Sequence, residues 1–305
     1  MEGVADALMR ELLTSINCFD LCITEFVRVV DQKLPAHVFK RISPELNNNG
    51  FTKSGTPVRV QLLGQDPNWL AENAIVALAL GSHGVDLNFG CPAKTVNKSR
   101  GGAALLKTPE QIYQIITTVK SAVGKEVLSA KIRLGFDNTD LFDEIVDAVL
   151  SGGANQLTIH ARTKQDGYRP PAYWQFIKPV TQRTDIEIIA NGEIWNANDA
   201  SRCVDESGCS SLMLGRGALS LPNITQVIKH GQAPYSNREL SKLLLAYSDK
   251  ELNGDKSFYF SSRLKQWLRH LAKQYPQAQQ LFENVKRLKD KNAIIEQISF
   301  HLDNN

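Results

Sequence analysis

Short runs of aliphatic and β-branched residues, each bounded by glycine, proline or polar positions, recur along the first two-thirds of the chain. They fall at Leu21–Thr24, Val58–Leu63, Val85–Asn88, Val127–Arg133, Gln156–His160, Ile186–Ala190 and Ser211–Leu214. Apolar runs of this length are characteristic of strands buried on both faces of a parallel sheet. Between them, amphipathic stretches near 4–16, 68–80, 109–122, 140–151, 173–182 and 196–206 predict helices. Strands alternating with helices imply parallel βαβ units, and seven strands imply a (β/α)8 TIM barrel that is one strand short. The absent strand would precede the helix at 4–16, and the chain opens on the loop between them. A gap there would leave two strand edges unpaired, which a closed barrel avoids. The expectation is therefore that the first strand is truncated and that the native start lies upstream.

After Pro222 the strand signal stops. The segments 237–252, 257–274, 276–288 and 291–302 carry apolar residues at three- and four-residue spacing, among them Leu243, Leu244, Tyr247, Leu264, Trp267, Leu268 and Leu271. They predict a small all-α bundle. Gly231-Gln232-Ala233-Pro234 reads as the linker. The predicted division is a barrel domain over 1–230 and a helical domain over 231–305.

Charge sharpens this division. The whole chain carries a formal net charge of +3, and residues 231–305 hold 12 Lys/Arg against 8 Asp/Glu. The first 230 residues hold 23 against 24, so all of the positive excess lies in the last quarter. A modest excess of this kind fits a solvated helical surface as well as a nucleic-acid footprint. The first residues have neither the basic region nor the apolar run of a signal peptide, and no stretch is apolar for the roughly 18 residues a membrane span needs, so cytoplasm is expected. Five cysteines without a CxxC spacing argue against a disulfide framework or a zinc site. Cys18, Cys22, Cys203 and Cys209 read as small apolar residues. No metal ligand set is predicted. Nothing suggests an extra apolar surface, so a monomer is expected.

In a (β/α)8 barrel the C-terminal strand ends face the active site. Here those ends carry Glu25, Gln61, Asn88 with Cys91, Lys131 with Arg133, His160 with Arg162, Asn191-Gly192-Glu193 and Gly215-Arg216. Polar and ionisable groups at nearly every strand end exceed what packing requires. Cys91 sits between a glycine and a proline in Asp86-Leu87-Asn88-Phe89-Gly90-Cys91-Pro92. A thiol held there could donate a proton to a developing carbanion, because its ordinary pKa of roughly 8.5 leaves it mostly protonated near pH 7. The alternative is a buried structural cysteine. Lys131 and Arg133 alternate along one strand and so point to one face. Two cations inside a barrel need an anion, such as a reduced flavin ring, and a Schiff-base lysine is the competing reading. The glycine turns 191–193 and 215–217 follow the last two strands, the usual phosphate site of this fold. Ser99-Arg100-Gly101-Gly102-Ala103 reads as a flexible loop near the substrate.

Taken together these segments resemble the tRNA-dihydrouridine synthases. The resemblance covers essentially the whole chain: Met1-Glu2-Gly3-Val4, Asp86 to Pro92, Lys131-Ile132-Arg133-Leu134-Gly135, His160-Ala161-Arg162-Thr163, Ala190 to Ile194 and Met213 to Gly217 follow in family order. No single piece is specific, but the combination is. The family's strand before the Met-Glu-Gly turn, ending in Ala-Pro, is absent. The resemblance implies FMN contacted by Met1, Glu2, Gln61, Lys131, His160, Asn191, Gly192, Glu193, Gly215 and Arg216, with NADPH as reductant. It implies Cys91 as the general acid that protonates C5 of a flipped uracil while hydride reaches C6, with Asn88 helping to hold the base. Thr24 to Val29, Gly167-Tyr168-Arg169 and Arg263 to Leu268 look most like the branch acting on the D-loop uridine at position 16 of tRNA. That likeness implies tRNA contacts at Arg28, Tyr168, Arg263, Lys265 and His270. Three competing readings are a small-molecule flavin oxidoreductase of the dihydroorotate-dehydrogenase-like barrel class, an RNA-binding protein without catalysis, and a Schiff-base aldolase using Lys131.

Overall fold

The computed structural model describes residues 3–303, and in it every predicted apolar run forms a strand: β1 (Cys22–Arg28), β2 (Val58–Leu63), β3 (Val85–Asn88), β4 (Leu128–Arg133), β5 (Gln156–His160), β6 (Glu187–Asn191) and β7 (Ser211–Met213). They form one parallel sheet in sequential order. Residues of all seven strands line a single cavity of about 1750 Å³, so the sheet curls round it. Among the described residues β1 and β7 are the two edges of the sheet. Met9 and Leu13 of helix α1 (Ala7–Ile16) line the same cavity.

Helices α2 (Ala36–Ile42), α3 (Pro67–Ala79), α4 (Lys94–Lys98), α5 (Pro109–Val123), α6 (Phe142–Ser151), α7 (Lys178–Thr181) and α8 (Ala197–Ser207) connect the strands. Their ends follow local chemistry: the Asp66 side chain accepts from the amides of Asn68 and Trp69 to start α3, and Gly208 closes α8 in the left-handed region at φ 69°. The helix predicted over 173–182 is instead a 3₁₀ turn, Trp174–Phe176, followed by the short α7. Pro179, at the start of α7, has no amide to donate and so cannot continue a preceding helix. A fully buried cluster that includes Leu62, Leu87, Ile116, Ile132, Val149 and Ile159 fills the layer between sheet and helices.

Beyond β7 lie only helices: α9 (Arg216–Ser220), α10 (Ile224–His230), α11 (Asn237–Leu252), α12 (Phe260–Leu271), α13 (Pro276–Val285) and α14 (Lys291–Asp303). A capping box between Ser236 and Glu239 starts α11, and a 3₁₀ turn at Ser257–Tyr259 precedes α12. These helices share a second apolar cluster, which contains Tyr247, Leu264, Trp267 and Leu268. Met9, Leu12 and Leu13 of α1 and Leu219, Leu221 and Ile224 belong to the same cluster, and the Trp267 indole donates to the Leu219 carbonyl at 3.0 Å. The last four helices are thus bonded through apolar contact to the sheet's first helix and to the chain after its last strand.

No helix among the described residues is long and apolar enough to cross a membrane, and no group of three or more His, Cys, Asp or Glu side chains is placed to hold a metal. Cys203 and Cys209 are buried, and burial pushes the Cys22 thiol up to about 11 and Cys203 up to about 12.

One buried ion pair holds α1 against the start of the sheet. Arg10 Nε and Nη2 donate to the two Glu45 carboxylate oxygens at 2.7 and 2.9 Å, and its remaining donors reach the Ala5 and Ile42 carbonyls at 2.9 Å. Both side chains are under one-tenth exposed. Arg10→Ala should therefore destabilise the protein by about 3–5 kcal/mol, because it strands a buried carboxylate. Denaturant unfolding measures this loss, and it should exceed that of the double variant Arg10→Met/Glu45→Leu.

Candidate active site

The cavity takes in the C-terminal strand ends, and one part of its wall is built on Asp86 of β3. This carboxylate is 1% exposed; burial raises its pKa, partly offset by hydrogen bonds. The Ser129 hydroxyl donates to Oδ1 at 2.6 Å and the Gln61 amide to Oδ2 at 2.7 Å. With its nitrogen committed to Asp86, Gln61 turns Oε1 towards Asn88 Nδ2, which donates at 2.7 Å. Asn88 Oδ1 in turn accepts from the backbone amides of Gly90 and Cys91 at 3.0 and 2.9 Å. The relay thus sets which way each amide side chain points and ends on the cysteine backbone.

The other side of Cys91 is held as well. Its carbonyl accepts from Asn97 Nδ2 and from the Ala103 amide, both at 3.0 Å. Gly102 packs so closely that a Cβ there would lie 2.9 Å from the Cys91 carbonyl oxygen and 3.0 Å from its Cβ, at a φ of +59°. Glycine is required by both space and backbone. Of the segment 99–103, expected as a flexible loop, Ser99 and Arg100 are exposed, whereas Gly101, Gly102 and Ala103 are buried, with Gly102 packed on Cys91 and the Ala103 amide bonded to its carbonyl. The Arg133 guanidinium closes the turn from below, donating to the Gly90 carbonyl at 2.7 Å and to the Thr163 and Gly167 carbonyls at 3.1 Å.

Across the cavity, Lys131 Nζ donates to Asn191 Oδ1 at 3.0 Å, and Asn191 donates to the Met213 carbonyl at 2.7 Å. Burial and the neighbouring Arg133 lower Lys131 to about 8, with Asp86 opposing. His160 is buried, and its pKa is held well below the usual imidazole value by burial and then by Arg133, Lys131, Arg162 and Arg216. A Cβ on Gly192 would lie 2.9 Å from its ring, so the turn after β6 must be glycine, at φ +120°. Lys131, Arg133, Arg162 and Arg216 thus cluster around His160, with the Asp86 and Glu193 carboxylates among them. This group of cations, with neutral His160 at its centre, suits an anionic or acceptor-rich ligand.

Glu193, itself in the left-handed region at φ 53°, organises the far wall. Its Oε1 accepts from Arg216 Nη2 at 2.8 Å and lies 3.1 Å from Arg162 Nη2, while Oε2 accepts from the Trp195 indole at 3.1 Å. Desolvation raises its pKa, but the Trp195 and Arg162 interactions outweigh this and hold it low. Arg216 contacts two rings, Tyr168 at 4.7 Å and Trp195 at 5.0 Å, and Lys273 lies over Trp195 at 4.4 Å. Trp195 escaped sequence reasoning because a tryptophan two residues past a strand-end turn reads as helix packing. Its two cationic neighbours are visible only in three dimensions.

Gln61, Asn88, Cys91, Lys131, His160, Tyr168, Asn191, Gly192, Glu193, Gly215, Arg216 and His270 all line this one cavity. Met1 and Glu2 lie outside the described residues. Arg28 stands in an adjoining groove, donating to the Ser99 hydroxyl at 2.9 Å. Lys265 turns to the Leu288 carbonyl, away from the cavity. Arg263 is turned inward, with Nη2 at 2.8 Å from Asp6 and Nε at 2.5 Å from Glu251, and the structure does not bring it to the cavity.

Residues 1–302 match the family described as Dihydrouridine synthase (Dus). The chain belongs to the dihydrouridine synthase family. It is 54% identical to the tRNA-dihydrouridine(16) synthase of Shewanella oneidensis over 99% of this chain and 97% of that protein. It is 53% identical to the Escherichia coli protein of the same name over 94% of this chain and 92% of that one. Membership makes the chain an oxidoreductase enzyme. Among solved structures it is similar to a histamine dehydrogenase from Rhizobium sp. 4-9, with TM-score 0.55 and 11% identity over 81% of this chain and 46% of that one. A variant of NCR from Zymomonas mobilis is similar with TM-score 0.53 and 13% identity, over 77% and 83% of the two chains. These likenesses are of fold.

Asn88→Ala removes the link between Gln61 and two backbone amides. It should cost about 1–3 kcal/mol in urea unfolding and quicken alkylation of Cys91 by iodoacetamide. An alkylation rate unchanged from wild type would show that the turn holds its shape without the relay.

Proposed function

We propose that this enzyme reduces a tRNA uridine, the D-loop uridine at position 16, to 5,6-dihydrouridine, using FMN and NADPH. The observation that carries the reading is the cysteine turn. Cys91 faces a cationic cavity, its backbone is clamped on both sides, and the polar relay beneath it begins at a buried carboxylate. Its relatives carry the name of that reaction over nearly their whole length. A uridine buried in a folded tRNA must leave its stack to enter such a cavity.

The donor set suits FMN. Lys131 and Arg216 bring positive charge to opposite walls, and neutral His160 offers a hydrogen bond without adding charge. Gln61, Lys131, His160, Asn191, Gly192, Glu193, Gly215 and Arg216 would hold it, with the glycine turns and Arg216 towards its phosphate. When bound and reduced by NADPH, FMN supplies the hydride that reaches C6. The protein supplies the matching proton: the Cys91 thiol gives it to C5, and the cysteine regains a proton from solvent. One hydride and one proton add across the C5–C6 bond, so the atoms balance. Asn88 would steady the base while Oδ1 holds the turn, and Arg28, Tyr168, His270, Lys265 and Arg263 are the proposed tRNA contacts. For Arg263 this requires release from Asp6 and Glu251. Residues 1–230 would form the catalytic barrel domain and 231–305 the tRNA-binding helical domain of a cytoplasmic monomer.

The first test is dihydrouridine content by position in tRNA from cells lacking this gene, with wild-type or Cys91→Ala rescue. Loss at position 16, restored by the wild type alone, is expected. Unchanged dihydrouridine would sink the substrate assignment and favour a small-molecule flavin reaction.

A second expectation concerns pH. Lys131 is lowered to about 8 by burial and by Arg133, with Asp86 opposing, and a further anion bound beside it would raise its pKa. Binding then takes up a proton above pH 8, so FMN affinity of the apoprotein should be flat below that pH and weaken as pH rises through it. Fluorescence titration from pH 6.5 to 9.5 measures this, and Lys131→Met should bind more weakly with a flat profile.

A further inference from the structure

Phe258 is 85% exposed, the most exposed large apolar side chain among the described residues, and its neighbour Tyr259 is 58% exposed. The two rings meet edge to face, with centroids 5.4 Å apart, in the 3₁₀ turn between α11 and α12. An apolar aromatic left this open costs solubility and contributes nothing to the core.

Its surroundings indicate what would cover it. On one side, Lys256 Nζ lies 3.1 Å from the Asp6 carboxylate, directly after Val4 and Ala5, which line the cavity. The aromatic turn is thus tied to the residue that follows this cavity-lining pair. On the other side, the Ser261 hydroxyl donates to the Lys289 carbonyl at 3.1 Å, fastening the first turn of α12 to the segment Lys286-Arg287-Leu288-Lys289-Asp290-Lys291. That segment holds four cations and one carboxylate in six residues, with Lys286, Arg287 and Lys289 exposed. The exposed rings are therefore flanked in the chain by one residue tied to the start of α1 and another tied to this basic segment.

Resting on the tRNA reading above, we infer that Phe258 and Tyr259 form a stacking platform for an unpaired nucleobase of the bound tRNA, with the basic segment taking the neighbouring phosphates. Aromatic faces beside a positive groove are how proteins hold single-stranded nucleic acid without reading its sequence, because every base offers a π-face. A D-loop displaced to deliver one base to the cavity presents further unstacked bases close by. A protein partner or a second copy of this chain would cover the rings without needing the basic segment.

The test is tRNA binding by full-length Phe258→Ala/Tyr259→Ala, in parallel with Phe258→Trp/Tyr259→Trp and Lys289→Ala. The double alanine variant should raise the Kd for unmodified tRNA about tenfold, within the range of base stacking. It should leave the rate of NADPH oxidation and kcat at saturating tRNA unchanged. The tryptophan variant should bind as wild type. The slope of log Kd against log salt should be unchanged in the alanine variant and fall by about 1 in Lys289→Ala. A Kd within twofold of wild type overturns the proposal, as does a self-association seen in sedimentation that only the alanine variant loses. If wild type neither binds tRNA nor makes dihydrouridine, the functional reading itself fails and this platform falls with it.

Discussion

The buried carboxylate of Asp86 constrains everything around the cysteine. A charge so deep in the sheet must be satisfied, and the two donors that reach it, Ser129 from β4 and Gln61 from β2, come from the strands on either side of its own. Because Gln61 spends its nitrogen there, only its oxygen is left for Asn88, and only the Asn88 oxygen is left for the backbone. Each amide side chain is oriented by the one before it. The direction of the Cys91 turn is thereby set by a group three side chains away that never touches it.

The wall around Glu193 follows the same logic, a carboxylate satisfied by convergent donors. Glu193 is the acidic centre, and Arg162, Arg216 and the Trp195 indole arrange themselves about it. Its left-handed backbone turns the carboxylate into the cavity, and the glycine before it leaves space for the His160 ring. Lys131, Arg133, Arg162 and Arg216 gathered about His160 give that part of the cavity a preference for a negative or acceptor-rich ligand. Lys131 registers it in a pKa lowered to about 8 by burial and by Arg133, against the opposing pull of Asp86.

The helices after residue 231 are not simply appended. Their apolar cluster takes in α1 and the segment after β7, so the two edges of the curled sheet are bracketed by one hydrophobic assembly. Arg263 shows the consequence. Its charge neutralises Asp6, the residue that starts α1, and Glu251, which is 1% exposed; burial lowers its pKa, but Tyr247, Asp6 and Glu251 outweigh this and hold it above the ordinary guanidinium value. Asp6 in turn adjoins the cavity-lining Val4 and Ala5. The Arg263 ion pairs therefore join α12 to the chain that leads into the cavity lining.

Much of this was legible in the residues alone, for a physical reason. Strands buried on both faces need continuous apolar runs, so Val58–Leu63 or Gln156–His160 announces itself, and the polar residue at the end of each run has nowhere to go but the cavity. Gln61, Asn88, Lys131, His160 and Asn191 could be placed from that argument, and the order of the motifs pointed to the family. What only the tertiary structure decided is direction and partnership. That Gly102 is packed on Cys91, that Trp195 meets both Arg216 and Lys273, that Arg10 finds Glu45, and that Arg263 faces inward are all contacts between different segments of the chain. Periodicity reports which face of an element meets the core. It carries no information on which oppositely charged or aromatic side chain waits on the other element, because that depends on how the elements cross.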